Sequence, residues 1–245
     1  MARGIFYRHG LSFDPMSTIL AIDTSGRSCR VGLSDQGQLV SQRVGENTRQ
    51  AAQEVLPLIK DVMAARKMDF QSLDALAVIS GPGSFTGLRI GIGVVQALSF
   101  TQSIPVVAIS SLALVAWCGM KQQGLSECLV FEQARDPELY FAHYKCDIEL
   151  GALLQGKEQV GALEELSIPD SFSSAVLLPG AAGLLGSASA SGSISDRIAG
   201  GVPAFPELRP SLEEFSELAS VRFANKEVSN GLVLPNYVKE QMEYS

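Results

Sequence analysis

The chain has 245 residues, 46% hydrophobic and 18% charged, with a net charge of −7 at pH 7. That supports one large buried core or two small ones, no stretch of 18 uninterrupted apolar residues marks a membrane span, and four cysteines without a CxxC pair (Cys29, Cys118, Cys128, Cys146) point to reduced thiols in a cytoplasmic protein. Arg3, Arg8 and Asp14 give residues 1–15 a charge of +1, leaving −8 on the body. So acidic a body is a poor binder of nucleic acid alone, and any RNA function calls for a partner with basic surface.

Residues 1–15 lack the apolar core and cleavage site of a signal peptide. They read as an extension or expression remnant, with Met16 opening the globular part. "TILAIDTS" (18–25), "CRVGLSD" (29–35) and "QLVSQRVG" (38–45) read as three successive strands, the last two joined by a hairpin turn at Asp35-Gln-Gly37. A helix over about 50–67, a strand over 75–80, a helix over 86–102, a strand over 106–109 and a helix over 111–122 follow. The second half opens the same way: "ECLVFEQARDPELYFAHYKCD" (127–147) gives strand, turn and strand, and "IELGALLQGKE" offers a third. The pattern of 18–45 thus recurs at 128–158, and an α/β chain of two lobes is expected, divided into 16–116 and 117–245. "SSAVLLPGAAG" (173–183) reads as a strand and glycine turn, "GSASASGSIS" (186–195) as a low-complexity loop, and Ser211–Asn225 as the last helix.

"GPGSFTGLRIG" (81–91) sits between a strand and a helix, where phosphate loops occur. The GxxxxGK[ST] template fails, because five residues rather than four separate Gly81 from Gly87 and no lysine follows. GxGxxG fails because Gly87 falls one residue late. A plain helix start remains, capped by Ser84 or Thr86. Interior glycine costs a helix about 1 kcal/mol, yet this one carries Gly87, Gly91 and Gly93. Gly87, Gly91, Val94 and Leu98 share one side, and the rest of the wheel is also mostly apolar. The preceding helix carries an apolar arc of roughly 160°, including Leu56, Ile59 and Met63, wider than one sheet face requires. A thick internal core and a helix-pair interface with another subunit both account for this surface.

Histidine is scarce: His9 lies in the extension and the strand residue His143 reads as structural. No HxxxH, HExxH or CxxC spacing supports a metal site, and GxSxG is absent. The best polar cluster is Asp23, Thr24 and Ser25 at the end of the first strand. A carboxylate there could hold Mg²⁺ while the turn faces a phosphate; equally, Asp-Thr-Ser makes a hydrogen-bonded turn. The equivalent residue in the second repeat is Gln133, which carries no charge. A nucleotide fold with incomplete equipment is the expectation.

"ILAIDTSGRSCRVGL", "VLPLI", "ISGPGSFTGLRIGIGVVQALSF" and "IPVVAISSLALVA" occur in the order of the bacterial TsaB (YeaZ) family, and over 18–116 the chain closely resembles it. Beyond 116 the resemblance thins to "QARDPELYFA", "LLPGAAG" and "LPNYVKE". It implies an actin-like ATPase (ribonuclease H-like) fold with two duplicated lobes. It also implies a non-catalytic relative of the TsaD-like subunit that makes threonylcarbamoyladenosine at position 37 of tRNAs. The partners implied are that subunit, held through the first two helices, a TsaE-like ATPase, and tRNA only through the complex; alone, a homodimer is expected. Interface residues would be Leu56, Ile59, Met63, Gly87, Gly91, Val94 and Leu98, with Asp23, Thr24 and Ser25 a remnant of a nucleotide site. No cofactor or metal is required of this chain, although ATP or ADP with Mg enters at the level of the complex. The histidine pair of the catalytic relatives is missing from "ENTRQAAQEVLPL". The rivals are an ATP-dependent kinase or transferase using Asp23 and, remotely, a metallopeptidase.

Overall fold

Alternating apolar residues and a tight turn start the chain as a meander: β1 (Ile19–Asp23), β2 (Arg30–Asp35) and β3 (Gln38–Val44). At the β2–β3 turn Gln36 and Gly37 both have positive φ, 51° and 72°, the backbone of a type I′ hairpin turn. After α1 (Ala51–Ala65) come β4 (Ala75–Gly81), α2 (Phe85–Gln102), β5 (Val106–Ser110) and α3 (Ser111–Gln123). The sheet order is β3-β2-β1-β4-β5, antiparallel through the meander and parallel from β1 to β5. The computed structural model describes residues 17–46, 50–135, 137–165, 169, 172–177, 203–205 and 208–238. The extension at 1–15, the glycine turn after 177 and the low-complexity loop at 186–195 lie outside them.

The second lobe repeats the first. β6 (Glu127–Gln133), β7 (Leu139–Asp147) and β8 (Gly151–Leu154) form the meander, β9 (Gln159–Gly161) adds to β7, and β10 (Ala175–Leu177) and β11 (Ala204–Phe205) continue in parallel. The order β11-β10-β6-β7-β8 is the first sheet's order with each strand replaced by its counterpart. β9 and β11, of three and two residues, are strands that the sequence pattern does not announce.

The last helix of each lobe crosses over. α3 follows β5 yet packs against β6, β7 and β8; α4 (Leu212–Ala224) follows β11 yet packs against β1, β2 and β3; the two helices touch each other. The expected division at 116/117 therefore falls inside α3. The exchange explains why β1 is buried at all five positions. α1 and α2, which contact each other, cover one face of the first sheet and α4 the other. α4 starts where Ser211 and Glu214 form a reciprocal capping box, with Ser211 N–H donating to Glu214 Oε2 at 2.6 Å and Glu214 N–H to Ser211 Oγ at 3.3 Å.

Candidate functional site

The Asp23–Thr24–Ser25 turn lies between β1 and β2, is hydrogen-bonded to the start of α2, and is committed to its own chain. Asp23 is 2% exposed. Its Oδ1 accepts from Ser25 N–H (2.8 Å) and Ser25 Oγ (2.6 Å), and its Oδ2 accepts from Arg30 Nε (3.0 Å) and Nη2. Thr24 is buried and donates from Oγ1 to the Gly87 carbonyl at 2.7 Å. Ser25 accepts at its carbonyl from Ser84 N–H at 2.9 Å, and Ser84 Oγ caps α2 by accepting from Gly87 N–H. Both Asp23 oxygens are thus engaged, and Gln133 closes the opposite strand without charge. This donor set does not fit the Mg²⁺–phosphate clamp of an actin-like nucleotide site, which needs acidic oxygens open to the metal.

These contacts overturn the assignment of Gly87 and Gly91 to an intermolecular surface. A Cβ on Gly87 would lie 2.0 Å from the Thr24 carbonyl oxygen, and one on Gly91 would lie 2.3 Å from Thr24 Oγ1. The clearance is for the turn after β1, inside the chain. Ile59 and Met63 are buried in the first lobe's core and so leave the candidate surface too. Of the seven residues named, Leu56 is exposed (56%), and Val94 and Leu98 are half-buried. The outward arc of α2 carries instead Gly93, Ala97 and Phe100, the last 88% exposed. A Cβ on Gly93 would meet no atom within 4 Å, so nothing in this chain requires glycine there.

Where the lobes face each other a cavity of about 740 Å³ opens. The first lobe lines it with the Ser25–Arg27 turn and with Pro82–Phe85 at the start of α2; the second with Glu132–Arg135, Glu138 and Tyr140. Glu132 Oε2 is shut off from solvent and has no hydrogen-bond partner among the described residues. Burial first, then the nearby Glu158 and Asp23 carboxylates, push the Glu132 carboxyl up to about 7. Glu158 ties the lobes together: it accepts from Ser110 Oγ at the end of β5, from Tyr144 Oη (2.6 Å) and from Asn236 Nδ2 (2.5 Å). Burial, and next Glu158, raise the Tyr144 phenol well above its ordinary range. Sequence reasoning missed Glu132 and Glu158, since the Glu158 partners lie 48, 14 and 78 residues away.

The cysteines are free, and burial first of all pushes the Cys29 and Cys118 thiols up to about 12, which leaves them unreactive. His143 Nε2 lies 2.9 Å from Glu127 Oε1 on the neighbouring strand, a structural pairing. Among the described residues no group of three or more His, Cys, Asp or Glu is placed to hold a metal, and no helix is long and apolar enough to cross a membrane.

Two lobes with the same strand order, joined by exchanged helices and facing each other across a cleft, define an actin-like ATPase fold, here without a free carboxylate at the first phosphate turn. The family model described as "TsaD: tRNA N6-adenosine threonylcarbamoyltransferase" matches residues 42–166. The solved structure "YeaZ from Pseudomonas aeruginosa" superposes with a TM-score of 0.75 at 30% identity, covering 91% of this chain and 100% of that one. The tRNA threonylcarbamoyladenosine biosynthesis protein TsaB of Escherichia coli (strain K12) is 36% identical over 129 residues, 53% of this chain and 55% of that protein. Its namesake in Haemophilus influenzae is 31% identical over 157 residues, 62% of this chain and 65% of that protein. The chain thus spans between half and two thirds of the length of these two relatives. It belongs to the TsaB (YeaZ) family.

Proposed function

We propose that the chain is a non-catalytic subunit in the synthesis of threonylcarbamoyladenosine on tRNA, and that it docks a TsaD-like catalytic subunit through the outer face of α1 and α2. The observation that carries this reading is the uncovered face itself. Leu56 on α1 and Phe100 on α2 are exposed large apolar residues, and Gly93 and Ala97, four apart, leave α2 flat between them. A mid-helix glycine that no neighbour in its own chain requires is explained by the close approach of another helix, since small residues let two backbones pack at short range. The names of the TsaB relatives and the match to the TsaD family model support the process and the partner. The committed Asp23 carboxylate supports the non-catalytic role. tRNA is reached through the partner, because this chain is acidic, and the same face mediates self-association when the partner is absent. A TsaE-like ATPase completes the assembly and brings the nucleotide chemistry, in the cytoplasm.

The test is co-purification of the TsaD-like subunit from the same organism with Gly93→Leu and Phe100→Asp. Both positions are open in the monomer, so melting temperature stays within a few degrees while partner recovery is lost. Undiminished recovery with both variants would contradict the proposal.

A further inference from the structure

The exposed positions of α2 form one ridge. Phe85, Arg89, Gly93 and Ala97 stand four residues apart, and Phe100 closes the row. A ridge of this spacing is the kind that seats in the groove of another helix. Arg89 is the only charged residue of α2. The ridge is therefore uncharged apart from one cation, a single turn from the flat stretch at Gly93 and Ala97.

Arg89 is held in place without being satisfied. Its guanidinium carbon lies 3.7 Å from the centre of the Phe85 ring and 5.7 Å from that of Tyr237. Its Nε donates to Tyr237 Oη at 2.8 Å. Tyr237 is 148 residues away, and its segment is fixed beside β4 by Asn236 N–H, which donates to the Ser80 carbonyl at 2.7 Å. Among the described residues no carboxylate pairs with Arg89, and Nη1 and Nη2 have no hydrogen-bond partner. These two nitrogens make a planar fork that matches a carboxylate. Stacking has already fixed the side chain in the free chain, so binding does not have to order it.

A helix packed closely on Gly93 and Ala97 removes water from Arg89 as well. A cation desolvated without a counter-charge is costly, so the occupant of this ridge must bring the opposite sign. We propose that the partner helix docking on α2 carries an aspartate or glutamate that accepts from Nη1 and Nη2 of Arg89. The inference rests on the docking role proposed above and adds the chemistry of the partner surface: an apolar helix face with one carboxylate, a turn from its closest approach. The ridge of a second copy cannot supply that group, because α2 contains no acidic residue.

The experiment is calorimetric titration of the full chain with the TsaD-like subunit of the same organism, at low and at high salt. Arg89→Gln is expected to weaken binding by about tenfold or more and to flatten its salt dependence. Arg89→Lys keeps the salt dependence and recovers the affinity only in part, because an ammonium offers no fork. Both variants keep a melting temperature within a few degrees of wild type, since Arg89 is exposed. The proposal is overturned if Arg89→Gln binds as tightly as wild type, or binds weakly with an unchanged salt dependence. It is also overturned if Arg89→Gln alters only self-association, which would assign the contact to a second copy. Phe100→Asp, titrated in parallel, separates the two readings. Loss of binding there with full binding by Arg89→Gln sinks the carboxylate contact alone, whereas full binding by Phe100→Asp and Gly93→Leu sinks the docking face.

Discussion

Glu132 is a carboxyl whose environment sets a pH dependence that can be measured. Its folded value of about 7 stands above the ordinary 4.5, so the folded chain holds this proton more tightly than the unfolded chain does. Its effect is therefore a loss of stability as pH rises from about 4.5 through 7, complete above 7, and amounting to about 3 kcal/mol at most. Glu132→Gln removes it. Denaturant melts should find the variant more stable than wild type at pH 8 and closer to wild type at pH 5; equal curves at both would contradict the burial seen here. The α2 glycines give a second residue-scale contrast. Gly91→Ala drives a methyl into Thr24 and should cost about 1–3 kcal/mol. Gly93→Ala fills open space and should add about 0.5–1 kcal/mol by helix propensity, while weakening partner binding. Helical spacing showed that Gly87 and Gly91 share a side, but not what stands opposite. That neighbour, Thr24, is 63 residues from Gly87, a distance periodicity cannot bridge.

Among the elements, those with their own local signals were legible. Ser211 and Glu214 mark the start of α4, and the helix expected at 211–225 is Leu212–Ala224 between caps Ser211 and Asn225. The Asp35-Gln-Gly37 turn and the repeated meander were readable for the same reason: each rests on a few adjacent residues. β9 was not, because three residues paired to β7 carry no period of their own. Nor was the crossing of α3 and α4 to the opposite sheets, since an apolar helix does not announce which sheet it covers. Ser211→Ala should cost about 1 kcal/mol through loss of the cap, seen as a fall of about 2–4 °C in melting temperature for a chain of this size. An unchanged melt would mean that packing alone holds α4 in place.

For the whole molecule, the fold places the chemistry of its class in the cleft and leaves the apolar surface outside. The Asp23–Arg30 pair and the neutral Gln133 take the clamp out of the cleft, and the exposed Leu56, Gly93, Ala97 and Phe100 form the face proposed to dock another subunit. Net charge of −7 predicts that the purified chain retains no tRNA in a filter-binding assay at physiological salt, and that retention appears only with the partner. The central claim is that this chain supports threonylcarbamoyladenosine synthesis through its α1–α2 face. It is tested most directly by quantitative mass spectrometry of tRNA nucleosides from cells depleted of the chain and complemented with wild type or Phe100→Asp. The account predicts that the modified nucleoside falls on depletion, returns with wild type and does not return with the variant. Unchanged threonylcarbamoyladenosine on depletion, or full rescue by Phe100→Asp, would contradict it.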